Sequence, residues 1–222
     1  MTRLEEVRRA NPALDIYSVC DEEFLRYGSV VDADTSEFVR LVKENQVMPE
    51  SGSAYVPEFP AIERSAKAAE YRRTVAGQMD YQWGLCWGYN RKMTALEWHT
   101  CNEFNVGVTD LILILGKRSD IDRDGTYDSA KCEFFYLPEG VMIETYADTL
   151  HYGPCMVSED GFSMVVGLQR GTNTPLDPGT EHDALLHDRN KWLMAHEEET
   201  ELTRSGVPGL VYGENWEVNT IG

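Results

Sequence analysis

Residues 96–103 read LEWHTCNE and lie between apolar runs that are typical of β-strands. Glu97, His99 and Glu103 place two carboxylates and an imidazole within this short segment. Because side chains two positions apart on a strand point to the same face, Glu97 and His99 are predicted to project together. His151, on a later strand, adds a second imidazole. This combination predicts a metal site or an acid/base site inside a small β-barrel.

The segments on either side of LEWHTCNE predict a series of short strands. Residues 79–87 (MDYQWGLCW) alternate between large apolar and small or polar side chains, and residues 109–116 (TDLILILG) are mostly apolar. Turn-forming Gly, Pro and Asp residues separate these from further predicted strands at 93–99, 132–137, 141–147, 150–156 and 162–168. Short strands at this spacing predict a mainly β protein, either a sandwich or a barrel.

The rest of the chain flanks this β-region. Residues 1–77 are predicted to form a helical and irregular N-terminal extension, and residues 78–175 the β-barrel. Residues 176–222 are predicted to pack on the barrel as a tail, with a C-terminal helix over 183–197. The simplest division is therefore one β-domain with additions at both ends.

The composition limits the partners and the compartment. Asp and Glu number 38 and Lys and Arg number 20, which gives a formal net charge of −18. Nucleic acid and anionic membranes would repel so acidic a chain, and we expect neither as a partner. The five cysteines are odd in number and show no C-x-x-C spacing, which favours a reducing compartment. Since no segment is typical of a secretory signal or a membrane span, the expected location is the cytoplasm.

The metal-competent residues resemble the two motifs of the cupin superfamily. The first cupin motif runs H-x-H, three or four residues and then E, and the second carries P-x-G and a later His. His99 matches the second His of the first motif and Glu103 its Glu, whereas Glu97 stands where the family has its first His. Residues 138–140 (PEG) match P-x-G, and His151 matches the later His. The resemblance implies a cupin, or RmlC-like, double-stranded β-helix, which is a jelly-roll barrel.

A closer resemblance is to the ureidoglycolate lyase-like branch of the cupins. It rests on the L-E-x-H segment at 96–99, the LILILG run at 111–116 and the HYGP turn at 151–154. The chain also resembles uncharacterised bacterial cupin-like proteins with segments similar to ALEWH, NVGVTDLILILGK and RGTNTPL. The resemblance covers residues 78–175. It implies a sugar or sugar phosphate isomerase or epimerase, a ureidoglycolate-type lyase, or a cupin that binds a ligand without turnover.

The resemblance also implies a divalent metal ion, with Zn, Mn, Ni and Fe left open. Its ligands would be His99, Glu103 and His151, with Glu97 as a fourth ligand or as a proton carrier. Glu144, on the strand before His151, is a second candidate for proton transfer. The expected partners are a small-molecule substrate and a second copy of the chain in a homodimer. The candidate substrate-binding residues are Gln82, Asn105 and Arg170.

The residues alone leave other interpretations open. Without a metal, the same His and Glu side chains could transfer protons by themselves. Glu97 could orient His99, and Glu103 could form a salt bridge to a cation at the barrel rim. Glu144 could face solvent, and Arg170 could anchor its own loop.

Overall fold

The structure of the chain is a computed structural model that describes residues 1–179 and 181–222. Its helices are α1 (Arg3–Ala10), α2 (Ser36–Asn45), α3 (Pro60–Glu63), α4 (Ala66–Thr74) and α5 (Thr200–Arg204). Within the described residues, none of these helices is long and apolar enough to cross a membrane. The strands are β1 (Ile16–Ser18), β2 (Gly28–Val31), β3 (Ser53–Val56), β4 (Tyr81–Gly88), β5 (Ala95–Trp98), β6 (Glu103–Gly107), β7 (Leu111–Lys117), β8 (Tyr127–Asp128), β9 (Glu133–Leu137), β10 (Met142–Thr145), β11 (Thr149–Leu150), β12 (Cys155–Met156), β13 (Phe162–Gln169), β14 (Leu186–Asp188), β15 (Lys191–His196) and β16 (Gly209–Tyr212).

The central strands form a double-stranded β-helix. Strands β6 and β7 follow one another along the chain and lie in two different sheets. On one side, β6 pairs with β10 and β7 pairs with β9; on the other, β6 pairs with β13 and β7 pairs with β12. All four pairings are antiparallel. Antiparallel strand pairs that run through two facing sheets in this order form a jelly roll. The predicted fold class is therefore confirmed.

The two sheets of the jelly roll enclose an apolar core. The first sheet has the strand order β1-β9-β7-β11 with β12 also paired to β7, and the second has the order β2-β10-β6-β13-β4-β3. Side chains from β7 and β9 pack against side chains from β10 and β13, among them Leu113, Phe135, Ile143 and Val166. Removing this apolar surface from water is the main stabilising term, at about 25 cal/mol per Å².

Helices from the N-terminal region cover the outer face of the second sheet. Trp83 of β4 is fully buried there, with ring centroids 5.2 Å from Phe38 of α2 and 6.0 Å from Tyr71 of α4. The same region also supplies strands, since β1 pairs with β9, β2 with β10 and β3 with β4. Residues 1–77 therefore contribute to both sheets as well as to the helical layer.

The C-terminal segment differs from the prediction. Residues 183–197, all of which the structure describes, form β14 and β15 instead of a helix. Strand β15 pairs antiparallel with β5, which places Leu193 opposite Glu97. The apolar run at residues 192–195 (WLMA) suits a buried strand as well as a helix, and the pairing with β5 decides between them. A short C-terminal helix does follow, as α5.

Candidate metal centre

The backbone brings His151 directly beside β5. The N–H of Glu97 donates to the carbonyl oxygen of His151 at 2.6 Å, and the N–H of His151 donates to the carbonyl oxygen of Glu97 at 3.0 Å. These two bonds form an isolated antiparallel bridge. Residues that face each other in such a bridge project their side chains to the same side. The second imidazole therefore reaches the first motif, although the two are far apart in sequence.

Each imidazole is oriented by one backbone carbonyl. His99 Nδ1 lies 2.8 Å from the carbonyl oxygen of Asn190, and His151 Nδ1 lies 3.0 Å from the carbonyl oxygen of Thr149. Since a carbonyl oxygen accepts and does not donate, both Nδ1 atoms carry a proton. In the neutral ring the free lone pair is then on Nε2, which faces the carboxylates. Metal-binding histidines are oriented by their outer nitrogen in the same manner.

Glu103 lies between the two rings. Its Oε2 is 3.3 Å from His99 Nε2 and 3.2 Å from His151 Nε2. Asn105, two positions along β6 on the same face, donates from Nδ2 to Glu103 Oε1 at 2.6 Å. Thr145 Oγ1 in turn donates to Asn105 Oδ1 at 3.0 Å. The carboxylate is therefore held in one orientation, and the partners of its Oε2 are imidazoles and not a cation at the rim.

The charges in this group are strongly coupled. Burial would raise the pKa of Glu103, but His151 and His99 outweigh that effect and hold the pKa well below its usual range. Burial would lower the pKa of His151, but the carboxylate of Glu103 raises it to about 9. In the ion-free protein at neutral pH, Glu103 is therefore an anion and His151 a cation.

The donor set fits a divalent metal ion. Glu97, His99 and His151 each offer a ligand atom, and these three atoms lie within 4.8 Å of one another. His99 Nε2 is buried and makes no hydrogen bond of acceptable geometry, which is costly unless an ion or a ligand satisfies it. Imidazole nitrogens combined with carboxylate oxygens suit Zn, Mn, Fe and Ni. Glu103, which contacts both rings, completes the set.

A cavity of about 190 Å³ adjoins the centre. A cavity of this size suits a small molecule. The lining includes carboxylates and an imidazole of the centre together with further polar side chains: Glu97, Glu103, His151, Lys191, Tyr55, Tyr152 and Asn173. A larger, open depression of about 750 Å³ lies on α2 and the turn between β9 and β10, and it contains no residue of the centre.

Lys191 is the lysine that lines this cavity. Its Nζ lies 2.7 Å from Glu97 Oε2 and 5.7 Å from the ring centroid of Tyr152. Burial would lower the pKa of Lys191, but Glu97 outweighs it and raises the pKa above its usual range. Lys191 is therefore charged at neutral pH and places a positive donor beside the carboxylates.

Two predicted substrate-binding residues support the centre without lining the described cavity. Asn105 orients Glu103, as shown above. Gln82 accepts a hydrogen bond from the N–H of Gly171 at 2.8 Å and donates from Nε2 to the carbonyl oxygen of Thr172 at 2.9 Å. Gln82 therefore holds the loop that follows β13, and Asn105 holds a carboxylate.

The structure does not bring Glu144 and Arg170 to the cavity. On β10, Thr145 is the residue opposite Glu103, so the neighbouring Glu144 points to the other face of the sheet. The carboxylate of Glu144 accepts a hydrogen bond from Asn102 Nδ2 at 2.7 Å. The guanidinium of Arg170 forms ion pairs with three acidic residues, which anchor its loop: Glu58, Glu63 and Asp80.

Sequence reasoning missed Lys191 and Asn190. Both follow β14, inside the segment that was predicted to be helical. Asn190 adopts a φ of 58°, a left-handed conformation that Asn accepts more readily than most residues. An Asn between short apolar and charged segments is a signal for a tight hairpin turn, and it would have placed Lys191 at the start of a strand.

The model of a family described as "Domain of unknown function (DUF4867)" matches residues 16–216 of the chain. The match spans every residue of the centre and of the cavity. No curated protein matches the chain.

Among solved structures, the chain is similar to the non-heme alpha ketoglutarate dependent epimerase SnoN from nogalamycin biosynthesis, with 12% identity and a TM-score of 0.39 over 81% of this chain and 91% of that one. It is also similar to an oxalate decarboxylase of Bacillus subtilis, with 13% identity and a TM-score of 0.34 over 81% and 41%. A third is vicilin from Corylus avellana (hazelnut), with 8% identity and a TM-score of 0.35 over 78% and 45%. The chain spans less than half the length of the last two. These similarities are too distant to indicate a reaction.

Proposed function

The chain belongs to the family described as Domain of unknown function (DUF4867), and we propose that it is a metal-dependent enzyme acting on a small polar carbonyl or hydroxy compound. One observation carries the proposal. The Nε2 atoms of two imidazoles lie 3.3 Å and 3.2 Å from the same carboxylate oxygen, beside a cavity large enough for a small molecule. Preorganised ligands next to a partly dry cavity are what metal-assisted chemistry requires.

The residues of the centre divide into two roles. His99, His151 and Glu103 would hold the ion, and a divalent ion supplies Lewis-acid polarisation of a carbonyl or hydroxyl oxygen when bound. Glu97, whose Oε1 lies 4.0 Å from His99 Nε2, would serve as a fourth ligand or would transfer a proton to and from a carbon of the substrate. The ammonium of Lys191 forms an ion pair with Glu97 Oε2 at 2.7 Å and thereby orients that carboxylate.

Proton transfer beside a polarised oxygen is the step that sugar isomerases and epimerases need, and this reaction on a sugar or sugar phosphate is the leading candidate. A C–N lyase acting on a small hydroxy acid, of the ureidoglycolate type, is the second candidate, because Lys191 offers a cation to an acid. A cupin that binds its ligand without turnover is the third. We further propose a cytoplasmic homodimer with its cysteines reduced.

The first test is metal content. Protein purified without chelators is expected to contain about one divalent ion per chain, measured by inductively coupled plasma mass spectrometry. Replacing His99→Ala or His151→Ala removes a ligand and should lower the affinity for the ion at least tenfold, while circular dichroism shows a folded protein. His187→Ala is the matched control, because His187 is exposed and lies outside the cavity.

Two outcomes would contradict the metal assignment. One is a wild-type protein that binds no divalent ion after dialysis against Zn, Mn, Ni and Fe. The other is full metal content in both histidine variants. A large loss of melting temperature with unchanged metal content would show instead that the two histidines are structural.

The second test separates the three functions. Aldoses, ketoses and ureidoglycolate are incubated with the metal-loaded protein in deuterated water and followed by proton NMR. An isomerase or epimerase is expected to exchange a carbon-bound proton of its substrate, a C–N lyase to release urea, and a binding protein to do neither. Glu97→Gln should abolish exchange at unchanged metal content; if Glu97 is instead a metal ligand, this variant loses the ion as well.

A further inference from the structure

The cavity beside the metal centre contains a charged donor with unused capacity. The ammonium group of Lys191 has three N–H donors, and its hydrogen-bond or ion-pair partner among the described residues is Glu97, at 2.7 Å. The side chain is only 15% exposed and lines the cavity, so the ammonium has little access to bulk water. A buried charged donor without a partner is costly, and an acceptor on the ligand would satisfy it.

A second polar atom in the same wall also lacks a partner. Asn173 Oδ1 is buried and accepts no hydrogen bond, whereas Asn173 Nδ2 donates to the hydroxyl of Tyr55 at 3.2 Å. The amide is thereby held with its oxygen available. An oxygen of this kind accepts from a hydroxyl group and not from a carboxylate. The wall therefore offers one place for an anion and one for a hydroxyl donor.

We propose that the substrate of this site is a short hydroxy carboxylate whose carboxylate binds Lys191 and whose hydroxyl donates to Asn173. This inference rests on the proposed function and, within it, favours the small hydroxy acid over the sugar or sugar phosphate as substrate. With His151 holding the ion as a neutral ligand, Lys191 is the one cation among the described side chains that line the cavity, and its single charge matches a monoanion better than the dianion of a phosphate ester. The small volume likewise favours a compound of few carbon atoms.

The charge of the whole site supports a monoanion. The carboxylates of Glu97 and Glu103 together balance a divalent ion, so the charge of Lys191 is left over for the ligand. This local cation is needed because the chain as a whole carries a net charge of −18 and repels anions from a distance. The ring of Tyr152 also lines the cavity, with its centroid 5.7 Å from the ammonium of Lys191.

The test compares glycolate with glycolamide, which has the same shape and no charge. Binding to zinc-loaded protein is measured by isothermal titration calorimetry, and glycolate is expected to bind at least tenfold more tightly. In Lys191→Met, the affinity for glycolate should fall to that for glycolamide while zinc content, measured separately, stays unchanged. Lys191→Arg should keep the preference, and Lys92→Met, which removes an exposed lysine outside the cavity, should not alter it.

Since Lys191→Met leaves the charge of Glu97 without its partner, the double variant Glu97→Gln with Lys191→Met is measured in parallel, and it should show the same loss of preference. Equal affinities for glycolate and glycolamide in the wild type would overturn the proposal, as would a preference that survives removal of Lys191. If the protein binds no zinc, the metal-dependent function is refuted. The preference for glycolate over glycolamide is then measured in the zinc-free protein, so the proposal about Lys191 is still tested.

Discussion

In each histidine of the candidate centre, one ring nitrogen donates to a backbone carbonyl and the other is left to bind an ion. The carbonyl oxygens of Asn190 and Thr149 fix the protons of His99 and His151 on Nδ1. This arrangement costs the protein little, because a buried backbone carbonyl needs a donor in any case. It determines which nitrogen can bind an ion before any ion arrives, so less free energy is lost to ordering on binding.

In the ion-free protein, the pair of Glu103 and His151 is expected to make stability depend on pH. The pKa of His151 is raised from 6.5 to about 9, so its contribution to the free energy of unfolding is complete below pH 6.5 and is lost as the pH rises through about 9. The pKa of Glu103 is lowered from 4.5, so its contribution is complete above pH 4.5 and is lost as the pH falls through the lowered value. Urea unfolding of chelator-treated protein should therefore show a midpoint that declines above pH 6.5.

The variant Glu103→Gln distinguishes this pair from other titrating groups. It removes the charge that raises the pKa of His151, so the decline between pH 6.5 and about 9 should flatten. Glu144→Gln is the matched control, because it removes a carboxylate on the opposite face of the neighbouring strand. An unchanged decline in Glu103→Gln would show that the two groups are not coupled in solution.

At the scale of elements, the turn between β14 and β15 positions the metal centre. Besides its carbonyl contact with His99, Asn190 accepts from the N–H of Thr100 at 2.9 Å and donates from Nδ2 to Thr172 Oγ1 at 2.9 Å. The variant Asn190→Gly keeps the left-handed backbone but removes every hydrogen bond of the side chain, including those to Thr100 Oγ1 and Cys101 Sγ. We expect the affinity for zinc to fall about tenfold, as is typical when a residue that supports a metal ligand is lost. Competition with a coloured zinc chelator measures the change.

The control for this variant is Gln78→Gly. Gln78 also adopts a positive φ, of 69°, but it lies in the turn after α4 and does not line the described cavity. Glycine relieves the backbone at either position, so both variants share that effect. If the two variants bind zinc equally well, the side chain of Asn190 has no role in positioning His99.

The register between β4 and β13 depends on a glycine. Gly167 lies opposite Trp83, and a Cβ atom at position 167 would come within 2.5 Å of the indole ring. Because Trp83 is fully buried, its ring has no free space to move into, and Gly167→Ala should destabilise the protein by about 1–3 kcal/mol. Gly153→Ala, where nothing lies within 4 Å of the new atom, should change stability by less than about 0.5 kcal/mol. Equal urea midpoints for the two variants would refute the close packing.

The elements differ in how much of them could be predicted from the sequence. Alternation predicted β4, and the spacing of turn residues predicted β13, each within two residues of the observed bounds. Strand β6 was missed, because its polar residues Glu103 and Asn105 point inward, against the usual rule for a buried face. The inward carboxylate of Glu103 belongs to the candidate centre, and it also breaks the alternation of polar and apolar residues that would have predicted β6.

The site was predicted in its residue types more fully than in its geometry. His99, Glu103 and His151 were recognised from their chemistry and from the resemblance to cupin motifs. Glu144 was chosen for the same chemistry. However, neighbouring residues of a strand point to opposite faces of the sheet, and only the pairing of Thr145 with Glu103 shows that Glu144 points away from the centre. Lys191 depends on the pairing of β15 with β5, a contact between distant segments that no local pattern determines.

At the scale of the whole molecule, the two ends of the chain are packed together. Asn11 donates from Nδ2 to the carbonyl oxygen of Asn219 at 3.0 Å, and the N–H of Asn219 donates to Asn11 Oδ1 at 2.7 Å. The ring of Trp216 lies edge-on to Phe134 of β9, with centroids 5.5 Å apart. Both terminal regions therefore contribute to the structure around the jelly roll, and the division at residues 77 and 175 stays a prediction about folding units.

The net charge of −18 predicts an unusual response to salt. Acidic residues outnumber basic ones by 38 to 20, so many carboxylates have no cation and repel one another in the folded protein. Ion pairs such as Arg40 with Glu44 are exposed, and each adds little to the stability of the protein. Screening of these pairs by salt therefore costs little stability. Raising NaCl from about 10 mM to about 1 M shortens the screening length from about 30 Å to about 3 Å and should raise the melting temperature at pH 7. Near the sequence pI of 4.6 the repulsion vanishes, and the same salt should have no stabilising effect. A melting temperature that falls with salt at pH 7 would mean that the ion pairs outweigh the repulsion.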